Sequence, residues 1–181
     1  MIDDLAGRGG LPPDLVTLLD AWPRSKWSDV PGFEGLAAFW LDRHLGFRQL
    51  LGTIRQDAEQ TGDGNMDPLR WKHRLVRAGE PLVDGLIGHH QIEDQSYFPA
   101  MLTLEPRLAR GFDILDRDHH ALDALLQDFV ASANLALTSE DPRAAALVFR
   151  QGLSGFERQL VRHLEDEEDL IIPVILKHQM G

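Results

Sequence analysis

Apolar residues recur at steps of three and four along most of the chain. In the first long stretch they fall at Trp40, Phe47, Leu51 and Ile54, with His44 at the missing step of the same stripe. A later stretch runs through Leu115, Leu122, Leu126 and Phe129, with His119 in the equivalent place. Two further stripes read Leu82, Leu86, His89, Glu93, Tyr97 and Phe156, Leu160, His163, Glu167, Leu170, Val174. This spacing puts each set on one face of an α-helix, and no long segment shows strand-type alternation. Breaker clusters at Thr61-Gly62-Asp63-Gly64-Asn65, at Glu105-Pro106 and from Thr138 to Pro142 delimit four helices over about 33–60, 68–103, 106–137 and 141–178. Short connections between amphipathic helices predict an all-α, up-down four-helix bundle.

The stripes also match in pairs. Trp40, His44, Phe47, Leu51 and Ile54 map in register onto Leu115, His119, Leu122, Leu126 and Phe129. Leu82, Leu86, His89, Glu93, Asp94 and Pro99 map likewise onto Phe156, Leu160, His163, Glu167, Glu168 and Pro173. The bundle is therefore expected to consist of two helical hairpins of one design, spanning residues 33–181. Residues 1–32 carry Gly7, Gly9, Gly10, Pro12, Pro13, Pro23 and Pro31, which predicts a loop-rich extension with a helical turn or two around Leu15 to Leu19. Trp22 and Trp27 within it are expected to pack it on the bundle, because large apolar rings are rarely left in water.

Composition narrows the function. The 181 residues are 43% hydrophobic and 26% charged, the balance of a compact domain. The formal charge of −11 repels phosphate backbones and anionic lipid, so neither nucleic acid nor a membrane surface is an expected partner. With no Cys, thiolate metal sites, disulfides and cysteine nucleophiles are excluded, and any metal must bind through His and carboxylates. The acidic start Met-Ile-Asp-Asp-Leu lacks a basic segment followed by an apolar run, and Leu170 to Leu176, interrupted by Pro173, is too short to cross a bilayer. A cytoplasmic location is expected.

Placing His and Glu on core-facing stripes is costly unless a partner restores their lost solvation. Each hairpin supplies one His from its first helix and a His-x-x-x-Glu pair from its second, stacked one turn apart on one face. His44, His89, His119 and His163 with Glu93 and Glu167 thus form a fitting shell for two metal ions, the carboxylates bridging and each metal taking two imidazoles. Iron is the favoured occupant, with manganese or zinc left open by ligand type. A single His on an apolar stripe is more often a hydrogen-bonded core residue, and text such as Glu165 to Asp169 is usually a solvated face. The in-register repeat is what favours metal. Glu168, Asp123 and His90 are secondary candidates; His90 and Asp94 are rotated off the chosen face, so His90 reads as lying behind the ligands or at the surface. His120 shares a polar side with Asp116 and Asp123. His73 precedes an interruption at Gly79-Glu80-Pro81 and lies about 24 Å from His89 along an unbroken helix, outside any site. His178 is expected to be solvated. Tyr97 reads as ordinary packing near a helix end, ahead of a hydrogen bond to a bridging carboxylate.

The pattern His44, then His89-His90-Gln91-Ile92-Glu93-Asp94 through Phe98-Pro99, then His119, then His163-Leu164-Glu165-Asp166-Glu167-Glu168 through Ile172-Pro173, resembles the hemerythrin-like HHE cation-binding domain. The resemblance covers about residues 33–178. It implies an up-down four-helix bundle with an oxo- or hydroxo-bridged non-haem di-iron centre, His44, His89, His119 and His163 as terminal ligands and Glu93 and Glu167 as bridges. Oxygen-carrying hemerythrins have a second His one turn after the third-helix ligand, where this chain has Asp123. They also set the last carboxylate five residues after its His, the place of Glu168 here. The first departure implies a more symmetric site with open positions, suited to binding or reducing oxygen, peroxide or nitric oxide, or to sensing iron, rather than to simple oxygen carriage.

Other helical metalloproteins fit poorly. A ferritin-like carboxylate site needs paired Glu-x-x-His motifs, and only Asp116 to His119 comes near. An HD-type phosphohydrolase needs a His-Asp dipeptide, which does not occur. Asp118-His119-His120 is shared with DHH phosphoesterases, whose parallel-strand pattern is absent here. No nucleophile elbow or phosphate-binding glycine loop is present, and no catalytic residue is assigned. The alternative of another class is a regulatory or protein-interaction bundle whose metal site is vestigial or differently occupied. Neither enzyme activity nor a protein partner is assigned by the sequence.

Overall fold

Aspartate and proline start two of the long helices in the same way. Asp67 accepts the Arg70 N–H at 2.9 Å and Asp141 the Ala144 N–H at 3.1 Å, each just ahead of a proline at the first helical position. The aspartates satisfy N–H groups that lack an intrahelical acceptor, and Pro68 and Pro142 have no N–H to leave unpaired. In the computed structural model, which describes residues 4–181, these caps open α2 (Pro68–Ile92) and α5 (Pro142–His178). The other helices are α1 (Leu36–Gly62), α3 (Phe98–Leu104) and α4 (Ala109–Thr138). Short 3-10 turns lie at Thr17–Asp20, Arg24–Asp29 and Pro106–Leu108. No strand occurs among the described residues, in keeping with the all-α expectation.

The interruption expected at Gly79-Glu80-Pro81 does not break its helix, and the fourth helix runs through Pro173 as expected. Pro81 lies inside α2 and Pro173 inside α5. Each removes one backbone hydrogen bond, but buried residues on both sides, Ala78 and Leu82 around Pro81 and Ile172 and Val174 around Pro173, keep the helix in place. The real irregularity in the second segment is a π-helical turn, Glu93–Tyr97, between α2 and α3. There the Phe98 N–H reaches the Glu93 carbonyl five residues back. Such single turns widen the helix by a residue and recur at functional sites.

The chain forms two compact units, and each long helix contributes residues to both. One comprises the described residues up to Leu45 with His89–His120 and Val161–Gly181; the other comprises Gly46–Gly88 and Ala121–Leu160. In the first, Leu11, Leu15, Leu18 and Trp27 of the N-terminal segment are buried in one cluster with Trp40, Phe98, Phe112, Leu115 and Leu170 to Leu176, while Trp22 packs against it partly exposed. Gly111 lets α4 approach α5 here: a Cβ would stand 2.9 Å from Leu170. The second unit is filled by aromatic packing, with Trp71 on Phe149 at 6.3 Å and Phe129 against Phe149 and Phe156 at 5.8 and 5.7 Å between ring centroids. Among the described residues, no helix is long and apolar enough to cross a membrane.

Candidate metal centre

All six primary candidates fall in the first unit, and all are buried: His44, His89, Glu93, His119, His163 and Glu167. Leu86 and Leu160 precede the two His-x-x-x-Glu pairs by one turn on the same stripe and are themselves buried, which turns the following polar positions inward. The donor atoms gather into two groups. One atom from each of His44, His89, Glu93 and Glu167 lies within 4.8 Å of the others, and the same holds for His90, His119 and His163. The two carboxylates reach toward both groups. Glu93 Oε1 is 3.0 Å from His89 Nε2 and its Oε2 is 3.5 Å from His119 Nε2. Glu167 Oε1 is 3.3 Å from His44 Nε2 and its Oε2 is 3.3 Å from His163 Nε2.

The imidazoles are held from behind by carboxylates that do not join the groups. His44 Nδ1 is 3.0 Å from Glu168 Oε1, His119 Nδ1 is 2.8 Å from Asp94 Oδ1, and His163 Nδ1 is 3.4 Å from Asp118 Oδ2. A proton donated from Nδ1 leaves Nε2 as the lone-pair nitrogen, turned inward. Trp40 donates its Nε1–H to Glu167 Oε1 and stacks its ring edge-on to His89 and Tyr97. Tyr97 is thus part of the wall, in line with ordinary packing.

Electrostatics among these groups follow from burial and from each other. Burial, with the neighbouring charge of Glu167, holds the Glu93 carboxyl well above the usual range. Burial acts the same way on Glu167, but His44, His163 and His89 outweigh it and keep that carboxylate well below the usual range. Burial would depress His163, yet Asp118 and Glu167 raise it to about 9. His89 is pushed down to about 3 by burial and the surrounding imidazoles, against the pull of Glu167, and His90 falls well below its usual value for similar reasons. His89 and His90, kept neutral, beside the ionised Glu167 offer donors of the kind a divalent cation takes.

A metal fits here on a separate observation. Glu93 Oε1 and Oε2, Glu167 Oε2, His119 Nε2, His163 Nε2 and both His90 ring nitrogens are buried without a properly directed hydrogen bond. Buried polar atoms are nearly always satisfied, and a cation between the two groups would satisfy these orphans together.

The secondary candidates divide. His90 is buried, with its ring stacked on His119 at 4.1 Å and edge-on to His163 at 5.4 Å, so of its two expected placements the surface one does not hold. Its repeat mate Leu164 is fully buried, so that register position faces inward in both hairpins. The inward stripe is wider than one residue per turn, and the apolar Leu164 amid charged neighbours was the signal. By distance the imidazoles gather as His44 with His89 and as His90 with His119 and His163. Glu168 is buried but turned to His44 Nδ1 and Arg24 rather than to the groups. Asp123 is exposed and belongs to neither group. His73 is exposed as well, and His120 donates to the Asp116 carbonyl. His178, expected to be solvated, instead meets Glu105 at 2.8 Å. Asp166, in an acidic run of a kind that is usually solvated, is buried along with Glu167 and Glu168. Asp94, Asp118 and the Trp40 indole were missed as supports for the ligands; the two aspartates lie one residue from Glu93 and His119.

A helical chain carrying this constellation is a cation-binding protein of the carboxylate and histidine type. The family model of the hemerythrin HHE cation binding domain matches residues 36–175, and the chain belongs to that family. Neither the curated proteins nor the solved structures compared with the chain give a match.

Proposed function

We propose that the protein holds two iron ions, one on His44 and His89, the other on His90, His119 and His163, with Glu93 and Glu167 bridging them. The observation that carries this reading is that each glutamate directs one oxygen toward each imidazole group. Two carboxylates against two metal ions leave a net positive centre suited to small anionic or diatomic ligands. When bound, the iron pair supplies redox chemistry toward oxygen, peroxide or nitric oxide, or reports iron supply. The chain's own part is to fix the ligand nitrogens, to exclude water with Trp40, Phe98 and Tyr97, and to limit the number of donors. The group of His44 and His89 has one imidazole fewer, so it is the side on which a small ligand enters. We read the protein as cytoplasmic.

The test is metal quantification on protein purified with iron present, combined with visible absorption before and after anaerobic reduction. The proposal expects about two irons per chain and near-ultraviolet charge-transfer bands that bleach on reduction. Substoichiometric, spectroscopically silent metal would contradict it and favour an interaction module instead.

A further inference from the structure

Two arginines ahead of α1 reach the carboxylates that stand behind the imidazoles. Arg8 is buried, its Nε donating to Asp166 Oδ2 at 2.7 Å and its two terminal nitrogens to both oxygens of Asp118. Asp118 Oδ2 in turn faces His163 Nδ1. Arg24 donates from Nη1 to Glu168 Oε2 at 2.8 Å, from Nε to Asp169 at 2.6 Å and from Nη2 to the Glu165 carbonyl at 2.8 Å. The other oxygen of Glu168 faces His44 Nδ1. The same guanidinium, carboxylate and imidazole relay is built twice, ending once in each imidazole group. Both arginines lie outside the span the family model matches.

The burial of Arg8 is not needed to hold the segment down. Leu11, Leu15, Leu18 and Trp27 already bury it, and a buried ion pair that must be stripped of water adds little net stability. On Asp118 the guanidinium is a rigid planar fork that fixes both carboxylate oxygens, and on Glu168 it fixes the oxygen that does not face His44. A carboxylate so fixed aims the Nδ1–H of its histidine and sets the donor strength of Nε2.

We propose that Arg8 and Arg24 are positioning residues of the metal centre, Arg8 acting through Asp118 on His163 and Arg24 through Glu168 on His44. The segment ahead of α1 is thereby part of the site and tunes its two halves separately. This rests on the metal-centre reading above.

The test loads the full chain with Co(II) alone. It records the paramagnetically shifted, exchangeable Nδ1–H resonances of ligand histidines, together with Co(II) affinity by chelator competition. Arg8→Met is expected to shift the His163 resonance, assigned through Asp118→Asn, and to weaken one Co(II) site about 10-fold. Arg24→Met is expected to shift the His44 resonance and leave that of His163 in place. Arg8→Lys, which keeps the charge without the fork and serves if Arg8→Met does not fold, shifts the same resonance with a smaller loss of affinity. Unmoved resonances and unchanged affinity, or all resonances moving together with the thermal midpoint, would overturn the proposal in favour of mere docking. Wild-type chain that takes up no Co(II) would overturn the metal-centre reading itself, an outcome the wild type alone decides.

Discussion

The same four helices build two units that solve burial in opposite ways. In the unit of Gly46–Gly88 and Ala121–Leu160, Trp71, Phe129, Phe149 and Phe156 fill the interior. Its buried polar residues are Asp57, paired with Arg74 at 2.6 Å, and Thr61, which donates to the Asp57 carbonyl. In the other unit Arg8, His44, His89, His90, Glu93, Asp118, His119, His163, Asp166, Glu167 and Glu168 are buried beside the apolar cluster. Apolar contact is non-directional, so the first interior needs only volume and pattern. Buried charge is directional and costly when unmatched, so members of the second have designated neighbours or offer their donor atoms to a common cation. Function is concentrated where burial is expensive.

That contrast can be broken from either side. Removing a ligand from the polar unit has the largest effect. His89→Ala and Glu93→Ala each cut metal occupancy far more than the ~10–100-fold in affinity that a residue merely supporting a ligand costs. His73→Ala leaves occupancy at the wild-type level, and elemental analysis of the three variants decides; full metal in either of the first two would remove that residue from the ligand set. Next comes the apolar unit. Phe149→Ala opens a cavity beside Trp71 and Phe129 and costs ~3–5 kcal/mol of stability. Thermal melts should show the same loss with and without iron, at unchanged stoichiometry; metal falling in step with stability would mean the two interiors are not separate devices.

The smallest effect sharpens the comparison within the polar unit, away from the ligands. Glu105 is buried, and although burial alone would raise its carboxyl, Lys177, His178 and Arg107 hold it at about 2. A carboxyl depressed from 4.5 contributes stability that is complete above its unfolded value and is lost as pH falls through about 2. Denaturant midpoints of Glu105→Gln should therefore depend less steeply on pH than wild type between about 4.5 and 2. Parallel curves would show that the cluster adds nothing.

Helix placement was legible because amphipathic periodicity and breaker clusters are local signals. His44, His89, Glu93, His119, His163 and Glu167 stood out because two hairpins repeat them in register. What escaped depends on geometry that periodicity does not carry. His90 sits one residue off the stripe, beside the π-helical turn, and only the burial of its mate Leu164 marks that bearing as inward. The arginines that hold Asp166 and Glu168 escaped because they come from a segment without periodicity. Gly79-Glu80-Pro81 suggested an interruption that tertiary packing overrides.

Unequal imidazole sets around the two proposed irons can be read by Mössbauer spectroscopy of the oxidised protein loaded with iron-57. Two quadrupole doublets of equal area are predicted, one for the iron on His44 and His89 and one for the iron on His90, His119 and His163, merging into one only if His90→Leu equalises the two environments. A single doublet in the wild type, or iron in only one environment at half the expected amount, would contradict it.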